Sequence, residues 1–182
     1  MLAQMPGGTD RYTVVLLPAN LHNRPAAIPA AVEQAVIEAG PHDHVFVAYA
    51  DCGTGGLLDP VIARLHATRL PGAHCYEFFA GPAAFAHLGT LEPGTFYLTD
   101  FLARHFDALV FRGLGLDRHP QLRDQYFGNY TRVVLISQSD DPTLVDLGRA
   151  AADQLGLEFA HHPVGLVPFT AAVAGALERD PA

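Results

Sequence analysis

Apolar, β-rich runs alternate with helix-patterned segments along most of this 182-residue sequence, and that alternation limits the folds open to it. Tyr12 to Leu17 is the first such run, stopped by Pro18, and Asn20 to Pro25 reads as a loop. A helix follows, with Pro29 in its first turn, a stripe of Val32, Ala35, Val36 and Ala39, and Gly40 at its C-terminal cap. His44 to Ala50 reads as a second strand, apolar enough to be buried on both faces. Leu57 to Thr68 reads as a helix that tolerates Pro60 only at its start. Ala73 to Phe79 is a third strand ended by Gly81-Pro82. Phe96 to Thr99 is a short strand leading to a helix capped by Asp100, with Leu102, Phe106, Leu109 and Val110 on one face. Gly113 to Gln121 is irregular and polar, and Tyr126, Phe127 and Tyr130 form an aromatic turn, read as a hydrophobic satellite under a loop. Thr131 to Ser137 is the clearest late strand. Asp141-Pro142 starts a helix to Gly156 with Leu144, Leu147 and Leu155 inside. Glu158 to His161 and Leu166 to Leu177 are a last strand and helix. The pattern predicts an α/β chain, a layered fold with a mostly parallel β-sheet and helices on both faces. Residues 1–11 read as a loose, disordered leader and 12–178 as one domain.

Charge narrows the partners. Nineteen acidic residues face eleven basic ones, for a formal charge of -8, and every basic residue is Arg. An acidic surface without a basic run argues against nucleic acid and against anionic membrane. The missing Lys removes Schiff-base chemistry and a Lys-bearing phosphate loop. No apolar run is long enough to span a bilayer, and the start resembles no signal peptide. Two cysteines make a poor disulfide framework, so a reducing cytoplasm is the expected setting.

The candidate functional centre is the turn Asp51-Cys52-Gly53-Thr54-Gly55-Gly56, between a predicted strand and a predicted helix. Ligands bind at the carboxyl ends of strands in parallel sheets. Glycines at 53, 55 and 56 let the backbone turn sharply, and their amides suit an anionic small molecule held with Asp51 and Thr54. The same field favours a thiolate at Cys52. That thiolate could ligate a metal, act as a nucleophile, or sit beside an anion nest. The alternative is a small buried Cys at a tight turn. A second constellation is His74-Cys75-Tyr76-Glu77. On a strand, His74 and Tyr76 face one side and Cys75 and Glu77 the other, so Cys75 joins Cys52 only if the two strand ends are neighbours. The paired Cys-x-x-Cys spacing of zinc sites is absent, and a metal would need ligands from separate loops. His22, just past the first predicted strand, stands out among ten histidines. In Asp117-Arg118-His119-Pro120, an acid, a fixed cation and an imidazole share one loop, which suits a carboxylate or phosphate.

Leu21-His22-Asn23-Arg24-Pro25, Tyr49 to Gly56, His74-Cys75-Tyr76, Phe96 to Phe101 and Leu114 to Pro120 together resemble the family catalogued as domain of unknown function 1638, from about Tyr12 to the C-terminal helix. The resemblance implies a bacterial or archaeal protein, encoded near corrinoid-dependent methyltransferases of the trimethylamine type. It also implies an extra N-terminal strand ending in an Ala-Cys-Gly-Ala turn, which this sequence lacks. The family pattern then has three cysteines near strand ends, able to hold an iron–sulfur cluster or zinc, of which Cys52 and Cys75 are here. The expectation is a truncated chain or a member that has lost the full site.

Three functions follow. The first is a metal- or iron–sulfur-binding accessory protein of corrinoid-linked, methylamine-type one-carbon metabolism, partnered with corrinoid methyltransferase components. Cys52 and Cys75 would be its thiolate ligands, His22 or His74 a third ligand, and Asp117, Arg118 and His119 would orient a polar ligand. The second is an enzyme with Cys52 as nucleophile and a His as base, Asp117 and His119 being further catalytic candidates. The third is a non-catalytic anion-binding α/β module.

Overall fold

The computed structural model describes residues 13–91 and 94–178; the predicted leader and Tyr12 lie outside them. The chain is an α/β protein whose described strands all pair in parallel. It divides into two compact units, residues 76–169 and the remainder.

In the first unit, α1 (Ile28–Ala39) carries Pro29 in its first turn as the sequence dictates and stops at Gly40, whose φ of 78° a side chain would resist. Its inward stripe is Ile28 and Val32, with Ala35 and Val36 partly covered. Strand β1 is only Phe46–Val47 and pairs with β2, Thr68–Arg69. The predicted strand over His44 to Ala50 is thus mostly irregular, with His44 and Ala48 exposed. The run Thr13 to Leu17 forms no strand, and Leu16 is 87% exposed. A β-prone run needs a neighbour to complete its hydrogen bonds, and no described strand pairs with this one. Helix α2 (Asp59–Arg64) is shorter than predicted: His66, at φ 50°, turns the chain out of the helix before β2 begins at Thr68. Ile28, Val32, Val47, Leu58 and Val61 form the core here, with Leu21, Tyr49 and Cys52 packed against it.

The predicted strand over Ala73 to Phe79 is overturned. Its second half is helix α3 (Tyr76–Ala80), followed by α4 (Pro82–Leu91), which the sequence reading missed. Tyr76, Phe79 and Ala80 stand at i, i+3 and i+4 and enter one cluster, so helical spacing buries them where a strand would divide them between two faces. The strand facing β1 lies earlier in the chain, at Thr68.

The second unit holds β3 (Thr95–Thr99), β4 (Arg132–Ser137) and β5 (Glu158–Pro163), with β4 central. Val133 and Leu135 point into one core, with Leu98, Phe106, Phe127 and residues of α7 (Thr143–Leu155); Val134 and Ile136 point into another, with α3 and α4. This is the layered arrangement predicted, with helices on both faces. Leu144 and Leu155 are buried as expected, but Leu147 is exposed; Gly148, Ala151 and Ala152 complete the stripe, whose small residues let the helix approach the sheet. Phe127 belongs to the main core, its ring edge-on to Phe96 at 5.3 Å. Thr99, not Asp100, caps α5 (Asp100–Arg104), accepting from the Leu102 amide at 3.3 Å. Asp100 instead accepts from the Gln138 and Ser139 amides at 2.8 and 3.0 Å, tying the end of β3 to that of β4. Helix α6 (Leu122–Phe127) precedes β4, and α8 (Val167–Glu178) ends the described chain. Among the described residues no helix is long and apolar enough to cross a membrane.

Candidate metal centre

Two turns of the first unit build the site. After β1 the chain reaches Asp51 and Cys52; after β2 it reaches Gly72, Ala73 and Cys75. Past the strands two backbone bonds join the turns: the Asp51 amide donates to Gly72 O at 3.1 Å and the Cys52 amide to Ala73 O at 2.9 Å. These bonds bring the two cysteines together from 23 residues apart, Sγ to Sγ at 2.7 Å. The sequence permits this meeting only where the two strand ends are neighbours. The ends are neighbours, although the second strand is not the one predicted.

Cys52 has φ 49°, in the left-handed region where a non-glycine residue costs of order 1 kcal/mol or more. The loop that follows offsets this. The Asp51 carboxylate accepts from the Gly56 amide at 2.7 Å, the Gly55 amide at 3.0 Å and the buried Thr54 hydroxyl at 2.5 Å. Those bonds, the Thr54 hydroxyl foremost, hold the Asp51 carboxyl below the usual carboxylate range. Gly56, at φ 84°, supplies a conformation that aims its amide inward. Of the glycine amides expected to cradle an outside anion, those of Gly55 and Gly56 instead hold the chain's own carboxylate. Gly53 passes close to Pro25, its position for a Cβ lying 3.6 Å from the proline ring.

The third member is His22, on a 3-10 turn over Ala19–Asn23. Its ring stacks on Tyr49, centroids 5.4 Å apart and planes 19° from parallel. Nδ1 lies 3.3 Å from Ala19 O. A proton on Nδ1 directed there leaves Nε2 as the donor atom for a metal. The ligand atoms of His22, Cys52 and Cys75 all lie within 4.8 Å of one another. His22 is exposed and the cysteines are half-buried, so the centre is reachable from solvent. His74, the other candidate third ligand, is exposed and stands outside this group. Tyr49 carries no role in the sequence beyond opening the motif Tyr49 to Gly56; in the structure it is the platform on which His22 stacks.

The electrostatics fit the geometry. The hydrogen bond from Cys75 pulls the Cys52 thiol down to about 5, with the hydrogen bond and charge of His22 adding to it against the opposing effect of burial. Cys75 is pushed up because its proton is held on the Cys52 thiolate. His22 is raised by its hydrogen bond to Cys52. Burial raises Tyr49, and the neighbouring sulfurs add to the shift. The contacts favour a Cys52 thiolate between the Cys75 thiol and a His22 ring drawn toward its protonated form. It can take a soft or borderline cation, or attack an electrophile.

Asp117, Arg118 and His119 lie in the second unit, on an exposed turn whose Arg118 and His119 amides donate to Gly115 O. Arg118 is 73% exposed, 3.8 Å from the Asp117 carboxylate.

The fold and site together define an α/β protein with a Cys-Cys-His group that could hold a metal ion. The chain matches, over residues 16–173, the family described as protein of unknown function (DUF1638), and it belongs to that family. Neither the curated proteins nor the solved structures contain a significant match.

Proposed function

We propose that this protein binds a single divalent transition metal, zinc fitting best, through Cys52, Cys75 and His22, with a fourth position open to solvent. The observation that carries the reading is the convergence of these three ligand atoms within 4.8 Å from three separate loops. Two thiolates and an imidazole are a borderline-soft set that zinc accepts, and three protein ligands leave a place for water or substrate. Tetrahedral zinc would set its two sulfurs about 3.7 Å apart, so the pair would open by about 1 Å. A mononuclear ion suits this three-ligand set better than an iron–sulfur cluster, which takes four protein ligands in its common forms.

The finer role we propose is accessory to corrinoid-linked, methylamine-type one-carbon metabolism; family resemblance alone supports it. Asp117, Arg118 and His119 are proposed as a patch for a small carboxylate or phosphate, on the strength of the exposed Arg118 guanidinium. A second reading has Cys52 as a nucleophile with His22 as its base. The strained turn and the thiolate–imidazole contact favour it.

Zinc titration of the reduced chain tests the main proposal. About one equivalent should bind, lost in Cys52→Ser and Cys75→Ser and weakened in His22→Ala. Near pH 6, binding should release about two protons, from Cys75 and His22, because Cys52 is already ionised. A reduced, folded chain that binds no zinc overturns the proposal.

A further inference from the structure

We propose that Cys52 and Cys75 form a reversible disulfide that closes the metal site, so that metal occupancy follows the thiol redox state. The inference rests on the reading of Cys52, Cys75 and His22 as metal ligands, and it names the regulation of that site.

Geometry carries it. The two sulfurs approach to 2.7 Å with neither in a disulfide, nearer a covalent bond than an ordinary van der Waals contact. A covalent S–S bond is near 2.05 Å. A shared tetrahedral zinc would hold the sulfurs about 3.7 Å apart. The pair therefore stands between two mutually exclusive states, separated from each by about 1 Å or less. The backbone bonds from Asp51 to Gly72 and from Cys52 to Ala73 keep the two turns together whichever state is adopted, since neither uses a side chain. Both cysteines are half-buried beside an exposed His22, which gives a small oxidant access.

The chemistry balances with a small disulfide, such as oxidised glutathione, as oxidant. Cys52 Sγ attacks one sulfur of the reagent, whose S–S bond breaks and whose other half leaves as a thiol. Cys75 Sγ then attacks the mixed disulfide, forms the Cys52–Cys75 bond and releases the second thiol. Two electrons pass from the pair to the reagent; Cys75 supplies one proton and water the other, because Cys52 attacks as its thiolate. From the metal-loaded form the ion leaves with its charge unchanged, and the released thiols take protons from water. The disulfide has no thiolate left to coordinate, and His22 alone is too weak a site to retain zinc.

The test equilibrates the zinc-loaded chain in glutathione buffers of graded oxidation, reading the cysteines by mass spectrometry and free zinc with a chromogenic chelator. The expected result is a loss of about two mass units in a linked Cys52–Cys75 peptide, with zinc release in proportion and full reloading after a phosphine reductant. Folded Cys52→Ser and Cys75→Ser chains should instead carry at most a mixed disulfide with glutathione. A chain that loads zinc but forms no internal disulfide in excess oxidant, or that keeps its zinc once the disulfide has formed, overturns this inference alone. A reduced chain that never loads zinc overturns the proposed function and the gate with it.

Discussion

If Cys52 is held as a thiolate, its reactivity should follow an unusual pH profile, and the structure says where to look. An ordinary thiol ionises near 9, whereas the contacts with Cys75 and His22 bring Cys52 to about 5. At pH 7 that raises the thiolate fraction from about 1% to nearly all, a gain of about a hundredfold. Nucleophilicity falls with basicity, however, and a Brønsted slope near 0.45 over about four units costs roughly sixtyfold. The two effects nearly cancel at neutral pH, so a single rate measured there decides nothing. At about pH 5.5 Cys52 should react some 40-fold faster than a free thiol, and at about pH 8.5 roughly fifteenfold slower. The assay is iodoacetamide labelling followed by peptide mass spectrometry, with a chelator and a phosphine reductant present. An alkylating reagent is required because a disulfide reagent would let Cys75 displace it. Cys75→Ala should move the midpoint upward most, since its hydrogen bond is the largest cause, and His22→Ala should also move it up. Labelling of Cys52 that climbs tenfold per pH unit from 5.5 to 8.5, parallel to a free thiol, would refute the reasoning.

Two further predictions concern the supports. Asp51→Ala removes the acceptor for Gly55, Gly56 and the buried Thr54 hydroxyl, so the Cys52 turn should loosen and zinc affinity should fall by about tenfold or more; an unchanged dissociation constant would show that the loop is not a support. Leu135→Ala, at a fully buried position on the central strand, should cost about 2–5 kcal/mol and lower Tm by about 5–15 °C in a calorimetric scan; a shift under two degrees would mean that the site collapses freely.

The sequence by itself determined what local chemistry controls. Gly40 and Gly156 ended their helices, Pro29 and Pro142 opened theirs, and the run from Thr131 to Ser137 read as a strand; that it is the central, buried one came from the fold. The turn at Cys52 was legible for the same reason, since clustered glycines after an apolar run mark a place where the backbone must bend. Tertiary structure decided the rest. Thr13 to Leu17 has the composition of a strand but no described partner, and partnership is not written in a single segment. Tyr76 to Ala80 fits either period over so short a stretch, and packing beside Val134 and Ile136 selected the helix. Most of all, the meeting of His22, Cys52 and Cys75 came from the pairing of β1 with β2 and the fold of the 3-10 turn. Each residue could be singled out from its neighbours in the chain. Which of His22 and His74 joined the two thiols was a question of distance in space, and only the fold answers that.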